Sequence, residues 1–387
     1  MKSLRSLLAA LLSLAFAAIP AFAGELKTPE QILQYLGQHR QDVALASYSV
    51  RPDGTPEPAD PMILVNPDQK MPLASTFKIV VLAAYAREVT AGRLNPDQEV
   101  SVKDWERYYL PGTDGGTHPA ALQSLGIPTD PYGFATDRAA TVPLDTLAHV
   151  MIQFSDNAAT DYLMARVGRD NLRSIISQAG LTGQDVPLPI LGTFLSWENH
   201  KDGVLTPARV RKIRKLAENP RRYAAQVDRL TAAFGNPQWR EDELQFLLAT
   251  QDVFSYELEA AVANVFTGGT VRDYARVMAG VVSGTFLSPE ISALMRRHLE
   301  IPLPNENLFL SWGTKGGALA GVLTEANYFV PANGGFAGKP RVSVLFLRRI
   351  EPAPWEQLLT GSGLTFFDAR LASDPAFVGL ARQTPAP

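Results

Sequence analysis

The chain has 387 residues, 46% of them apolar, and its 36 Lys and Arg against 39 Asp and Glu give a formal charge of −3. That balance argues against a general nucleic-acid binder, which presents a basic face. With no cysteine, neither a disulfide nor a lipid-modified cysteine is available, so a chain of this length relies on core burial, normally in two lobes.

Lys2 and Arg5 precede an apolar stretch at residues 7–19 and the small-x-small site Ala21-Phe22-Ala23. The pattern predicts a signal peptide (1–23) cleaved after Ala23, and hence a periplasmic or secreted product with no remaining membrane span. A retained anchor is the alternative reading, and the shortness of the stretch speaks against it. Residues 29–40 carry Ile32, Leu33, Tyr35 and Leu36 at helical spacing. Residues 43–50 read as a strand, and Arg51-Pro52-Asp53-Gly54 as a turn before a returning strand at 62–65.

Ser75-Thr76-Phe77-Lys78 then opens an apolar run through Tyr85 that reads as a helix ending near Gly92. A serine hydroxyl needs a base before it attacks. The i, i+3 spacing puts Lys78 on the face of Ser75, and apolar surroundings favour the neutral amine.

From about residue 95 to 202 helices and loops dominate, most clearly at 142–154 and 158–167, with Ser155-Asp156-Asn157 between them. Ser155 and Asp156 also have an ordinary reading as helix caps. Residues 105–118 form a glycine- and aromatic-rich loop, where Tyr108 or Tyr109 either stacks on a ligand or simply packs. Residues 206–266 add helices carrying a basic run from Arg209 to Arg222, either an interaction patch or a solvated face. Helices at 270–284 and 288–299 follow. Trp312-Gly313-Thr314-Lys315-Gly316-Gly317-Ala318 then leads into strands at 320–330 and 341–350. Strands at both ends with helices between predict an α+β fold. It consists of one antiparallel sheet built from both termini, flanked by helices, with an all-helical lobe inserted. The five histidines lack metal-ligand spacing, so no metal and no other cofactor is expected.

In order, S-x-x-K at Ser75, S-D-N at Ser155 and K-G-G at Lys315 nearly match the S-x-x-K, S-D-N, K-T-G set of serine β-lactamases and penicillin-binding proteins. The chain resembles the class A-type serine β-lactamase and penicillin-recognising family, and residues 141–163 and 269–299 extend the likeness. The resemblance implies a β-lactamase/transpeptidase-like catalytic domain over 24–380. Its α/β lobe would span about 24–92 and 270–380, and its helical lobe about 93–269, extended at 203–266. It also implies acyl-enzyme chemistry. Ser75 would be the nucleophile, Lys78 its base or the holder of the network that serves as base, and Ser155 a proton shuttle assisted by Lys315. Asn157 would position Lys78 and the substrate amide. The N–H groups of Ser75 and Ala318 would form the oxyanion hole, beside a close approach at Gly317. The substrate would be a small β-lactam or a peptidoglycan-like amide or ester.

Two departures matter. Gly316 stands where the family has a hydroxyl that helps bind the substrate carboxylate, which leaves Thr314 as a candidate to take over. No E-x-x-L-N follows the S-D-N segment. Within 188–200 Glu198 is the only carboxylate, read either as the base that activates the deacylating water or as a plain loop carboxylate. The function therefore reads first as β-lactam hydrolysis. A slowly deacylating penicillin-binding protein, DD-peptidase or esterase comes second, and a non-catalytic cell-envelope binding protein third.

Overall fold

The computed structural model describes residues 25–250, 253–303 and 308–383. The signal peptide and cleavage site read at residues 1–23 lie outside the described residues. The strands are β1 (Val43–Ser49), β2 (Ile63–Val65), β3 (Met71–Pro72), β4 (Glu99–Ser101), β5 (Thr141–Pro143), β6 (Gly268–Gly269), β7 (Phe309–Leu319), β8 (Val322–Pro331) and β9 (Arg341–Leu347). Five of them form one antiparallel sheet in the order β2-β1-β9-β8-β7. β1 runs against β9 from Val43 opposite Leu347 to Ser49 opposite Arg341, so the two ends of the chain meet inside the sheet. β7, which carries Lys315, is an edge strand.

Strand alternation divides the apolar residues between two cores. Ala44, Ala46 and Tyr48 of β1, with Val342, Val344 and Phe346 of β9, face the larger one. Val43, Leu45, Leu345 and Leu347 face the other. The outer core is closed by the helices Pro29–Gln38, Pro352–Thr360, Gly363–Ser373 and Pro375–Gln383. The sequence reading ended the chain in strands, and that holds only as far as Leu347. Beyond it, Leu364, Phe367 and Leu371 recur at helical spacing and bury against the sheet.

On the inner face lies the helix Lys78–Thr90, buried from Lys78 through Ala86. Its apolar residues run without interruption because every side of it packs. Beside it, Val271–Ser283 starts at a Thr270 side-chain cap and stops at Gly284, whose φ of +78° is the left-handed conformation that glycine adopts without strain. Ser288 caps Pro289–Leu299 in the same way. The larger core continues without a break from Val344 on the sheet to Val150, Leu163, Val210 and Val227 in the intervening helices. Of the basic run, Arg209 turns inward onto the Trp197 and Ser196 carbonyls. Arg211, Lys212, Arg214, Arg221 and Arg222 are exposed beside buried Val210, Ile213 and Tyr223. Among the described residues, no helix is long and apolar enough to cross a membrane.

Candidate active site

Ser75 sits in a 3₁₀ turn, Ala74–Phe77, which runs directly into the helix Lys78–Thr90. Ala74 ahead of it holds φ +44°, a left-handed conformation that a side chain disfavours. A buried hydroxyl pair fixes this turn to the sheet. Thr324 Oγ1 on β8 donates to Leu73 O at 2.8 Å and lies 2.8 Å from Thr76 Oγ1. Gly317 on β7 approaches so closely that a Cβ there would meet Leu73 O at 2.9 Å and Thr324 Oγ1 at 2.8 Å. Edge strand, hairpin partner and nucleophile turn therefore form one unit. Thr324 was missed in the sequence, although β8 alternation places it on the inner face.

Ser155, Lys78 and Lys315 converge from three elements. Lys78 Nζ donates to Ser155 O at 2.5 Å, to Asn157 Oδ1 at 2.7 Å and to Ser155 Oγ at 3.3 Å. Lys315 Nζ donates to the same Ser155 Oγ at 2.9 Å and to Gly316 O at 2.6 Å. Ser155 holds φ +63°, an uncommon conformation for a residue with a side chain and one that concentrates at functional sites. The Ser75 hydroxyl forms no hydrogen bond among the described residues, and the three donors of Lys78 all point to the 155–157 turn. Burial pulls Lys78 down to about 7, against the opposing pull of Asp156, Asp161 and Asp114. Burial and then the charge of Lys78 pull Lys315 well below the usual lysine range. An amine that titrates near neutrality can accept a hydroxyl proton, whereas an ordinary lysine cannot.

Asp156 caps the helix Asn157–Val167 by accepting from Ala159 N at 2.6 Å, so the ordinary capping reading applies to Asp156. Its other oxygen lies 2.7 Å from His118 Nδ1, an interaction the sequence did not suggest. Asp161, four residues after Asn157, is also buried. It accepts from Ile190 N and Leu191 N, both at 2.8 Å, and thereby holds the start of the helix Ile190–Trp197. Burial pushes its carboxyl up to about 7.

Other residues singled out from the sequence lie elsewhere. Glu198 follows the helix Ile190–Trp197, accepts from Leu205 N at 3.3 Å and has Arg209, Glu243 and Glu259 among its charged neighbours. Burial raises its carboxyl, but none of its partners belongs to the Ser75 group, because the chain turns toward Leu205 after Trp197. Tyr109 is 4% exposed, with its ring 4.1 Å from that of His118 and its hydroxyl on Tyr132 O, so it packs and offers no face to a ligand. Tyr108 is half-buried edge-on to Tyr162 and lines an open pocket of about 240 Å³ with Pro189 and Thr231. Thr314 lies opposite Asn327, and strand alternation turns it to the other side of β7 from Lys315. Ala318 is exposed near the end of β7, one residue beyond Gly317.

Residues 56–308, well over half of the chain, match the model of the beta-lactamase enzyme family. The chain belongs to that family. A search of curated proteins finds no match. Among solved structures, the beta-lactamase from Sphaerobacter thermophilus DSM 20745 is 16% identical with a TM-score of 0.52, covering 90% of this chain and 97% of that one. A beta-lactamase from Chitinophaga pinensis DSM 2588 is 12% identical with a TM-score of 0.50, covering 88% and 98%. A mutant of the class A beta-lactamase of the last common ancestor of Gram-negative bacteria is 14% identical, also with a TM-score of 0.50, covering 91% and 97%. These likenesses show a beta-lactamase/transpeptidase-like α+β fold.

Proposed function

We propose that this beta-lactamase-family serine hydrolase is acylated on Ser75 by β-lactams. The convergence of Lys78 and Lys315 on Ser155, beside the Ser75 turn, carries this reading. Ser75 Oγ attacks the lactam carbonyl, and its proton passes to neutral Lys78 once that amine gives up one of its contacts to the 155–157 turn. As the C–N bond breaks, the nitrogen takes a proton from Ser155 Oγ, which regains one from Lys78, so the proton removed from Ser75 ends on the leaving nitrogen while Lys315 Nζ holds Ser155 Oγ in place. The N–H groups of Ser75 and Ala318 stabilise the oxyanion. Asn157 holds Lys78 and faces the substrate amide. On this reading residues 24–380 act as one catalytic domain, with the helical lobe at 93–269 set into the α/β lobe, and the export segment delivers the protein to the periplasm or beyond.

The position of Glu198 favours a second reading of the later half of the cycle. With Glu198 turned to Leu205 and both oxygens of Asp161 occupied by backbone N–H groups, neither of these two carboxylates is free to activate a water beside Ser75. Acylation then outlasts attack, as in a penicillin-binding protein, DD-peptidase or slow esterase. Intact mass after mixing with penicillin G tests both. A gain of one penicilloyl group on Ser75, absent in Ser75→Ala, supports the first reading, and its persistence for hours supports the second. An unmodified wild-type mass with no product formed overturns both readings.

A further inference from the structure

We propose that His118 is a positioning residue, which holds the Ser155–Asn157 turn through Asp156 in the arrangement where Lys78 serves Ser75. This rests on the acylation reading above.

The glycine- and aromatic-rich loop at residues 105–118 is the support behind the S-D-N turn. His118, at the start of the helix Thr117–Ser124, is fully buried, and its Nδ1 donates to Asp156 Oδ2 at 2.7 Å. Its Nε2 faces Glu106 Oε1 at 3.7 Å and makes no hydrogen bond. The Trp105 and Tyr109 rings pack on the imidazole, and Trp105 Nε1 reaches Asp156 Oδ1 at 3.4 Å. Asp114 accepts from the backbone N–H of His118 at 2.8 Å. On the far side, Arg138 pairs with Glu106 at 2.8 Å, and Arg240 donates to Glu106 O at 2.7 Å. Burial alone would keep His118 neutral, but Asp156, Glu106 and Asp114 outweigh it and raise the imidazole to about 9. Burial likewise opposes ionisation of Asp156, yet His118 holds that carboxyl below its usual range.

An imidazolium between two carboxylates has a direct consequence for the catalytic lysine. Lys78 is faced by Asp156 from the turn, by Asp161 from the helix Asn157–Val167, by Asp114 from the loop before His118, and by Lys315 from β7. Among the described residues, His118 is the cation hydrogen-bonded to the Asp156 carboxylate. Removing that positive charge leaves a buried, uncompensated carboxylate beside Lys78. The amine then keeps its proton to higher pH, so less of it is neutral and able to accept the Ser75 proton near pH 7.

The test follows acylation by a fluorescent penicillin against pH in wild type, His118→Asn, Asp156→Asn and the double variant. His118→Asn moves the acid limb of the acylation rate up by about one pH unit, and Asp156→Asn moves it down by a similar amount. The double variant returns the limb toward wild type, because it deletes both charges. Loss of turn geometry also slows His118→Asn by about tenfold to a hundredfold at its new optimum. A folded His118→Asn protein with the wild-type limb overturns the proposal. A second measurement needs no variant: in the wild-type protein, imidazole NMR signals of His118 stay those of the cation to at least about pH 8. Titration of His118 between about pH 6 and 7 overturns the proposal even if the variants do not fold. If the wild type is never labelled on Ser75, the acylation reading fails, while the NMR result still decides whether His118 is charged.

Discussion

A methyl group at Gly317 would stand 2.4 Å from the backbone nitrogen of Ser75, closer than side-chain and main-chain atoms approach. The edge strand therefore lies against the nucleophile turn with no room to spare. Gly317→Ala must push β7 away from Ser75, and with it Lys315 and the Ala318 N–H. The expected result is a loss of about a hundredfold in acylation rate and about 1–3 kcal/mol of stability from overpacking. Stopped-flow labelling and thermal unfolding measure the two effects.

Gly316 behaves differently, although it is the next residue. A Cβ there would meet only Thr324 O, at an ordinary 3.6 Å. Gly316→Thr is therefore accommodated and supplies the hydroxyl that the third motif lacks. Acylation by carboxylate-bearing penicillins should rise by about tenfold, as expected for one charge-assisted hydrogen bond. Neutral activated esters should show no gain, and an equal gain on both substrates would remove the carboxylate explanation.

Lys78 titrates at about 7 in the folded protein, so only its neutral form above that value accepts the Ser75 proton. Acylation should rise by about tenfold per pH unit below the limb and level off above it. Lys78→Ala should lower the rate by about a hundredfold or more and abolish the limb. A pH-independent rate in the wild type would show that another group takes the proton.

Glu198→Gln should leave the lifetime of the acyl-enzyme unchanged, since Glu198 bonds to Leu205 and not to the Ser75 group. Time-resolved intact mass reads that lifetime. A markedly longer lifetime in the variant would place Glu198 in the deacylation step after all.

His118 also gives stability a characteristic pH dependence. Its folded value of about 9 lies above the ordinary 6.5, so the stabilisation from its charge is complete below 6.5 and fades as pH rises through 9. Lys78 works in the opposite sense between about 7 and 10.5. The wild-type profile mixes the two, so the comparison is with His118→Asn. The gap in unfolding temperature between the two proteins should be widest near pH 6 and close toward pH 9.

The three motifs and the elements around them were legible because each depends on local order. The helices at 144–153 and 157–167 needed only periodicity and a cap at Asp156. The last three helices were hidden by the preceding run of strands, though Pro352 and the Leu364, Phe367, Leu371 spacing marked them. What the sequence did not reveal is chemistry created by burial between distant segments. His118 meets Asp156 across 38 residues, and Thr324 meets Leu73 across 251. The local signal for the first was several charged residues, Glu106, Asp114 and His118, gathered among aromatics in one short loop. Tyr109 looked available because aromatic residues in loops often are, but its ring packs on those of His118 and Phe134.

The pairing of β1 with β9 also governs how the molecule is made. Val43 and Leu347 are partners near opposite ends of the chain. The central ladder of the sheet thus cannot close until residue 347 has left the ribosome. Contacts of such long sequence separation close slowly, because loop entropy is lost before they form. A chain released before residue 341 has β1 and β7–β8 but no strand to join them. Synthesis therefore runs without a finished core until residues 341–347 emerge, and up to that point the nascent chain is available to any machinery that handles unfolded polypeptides.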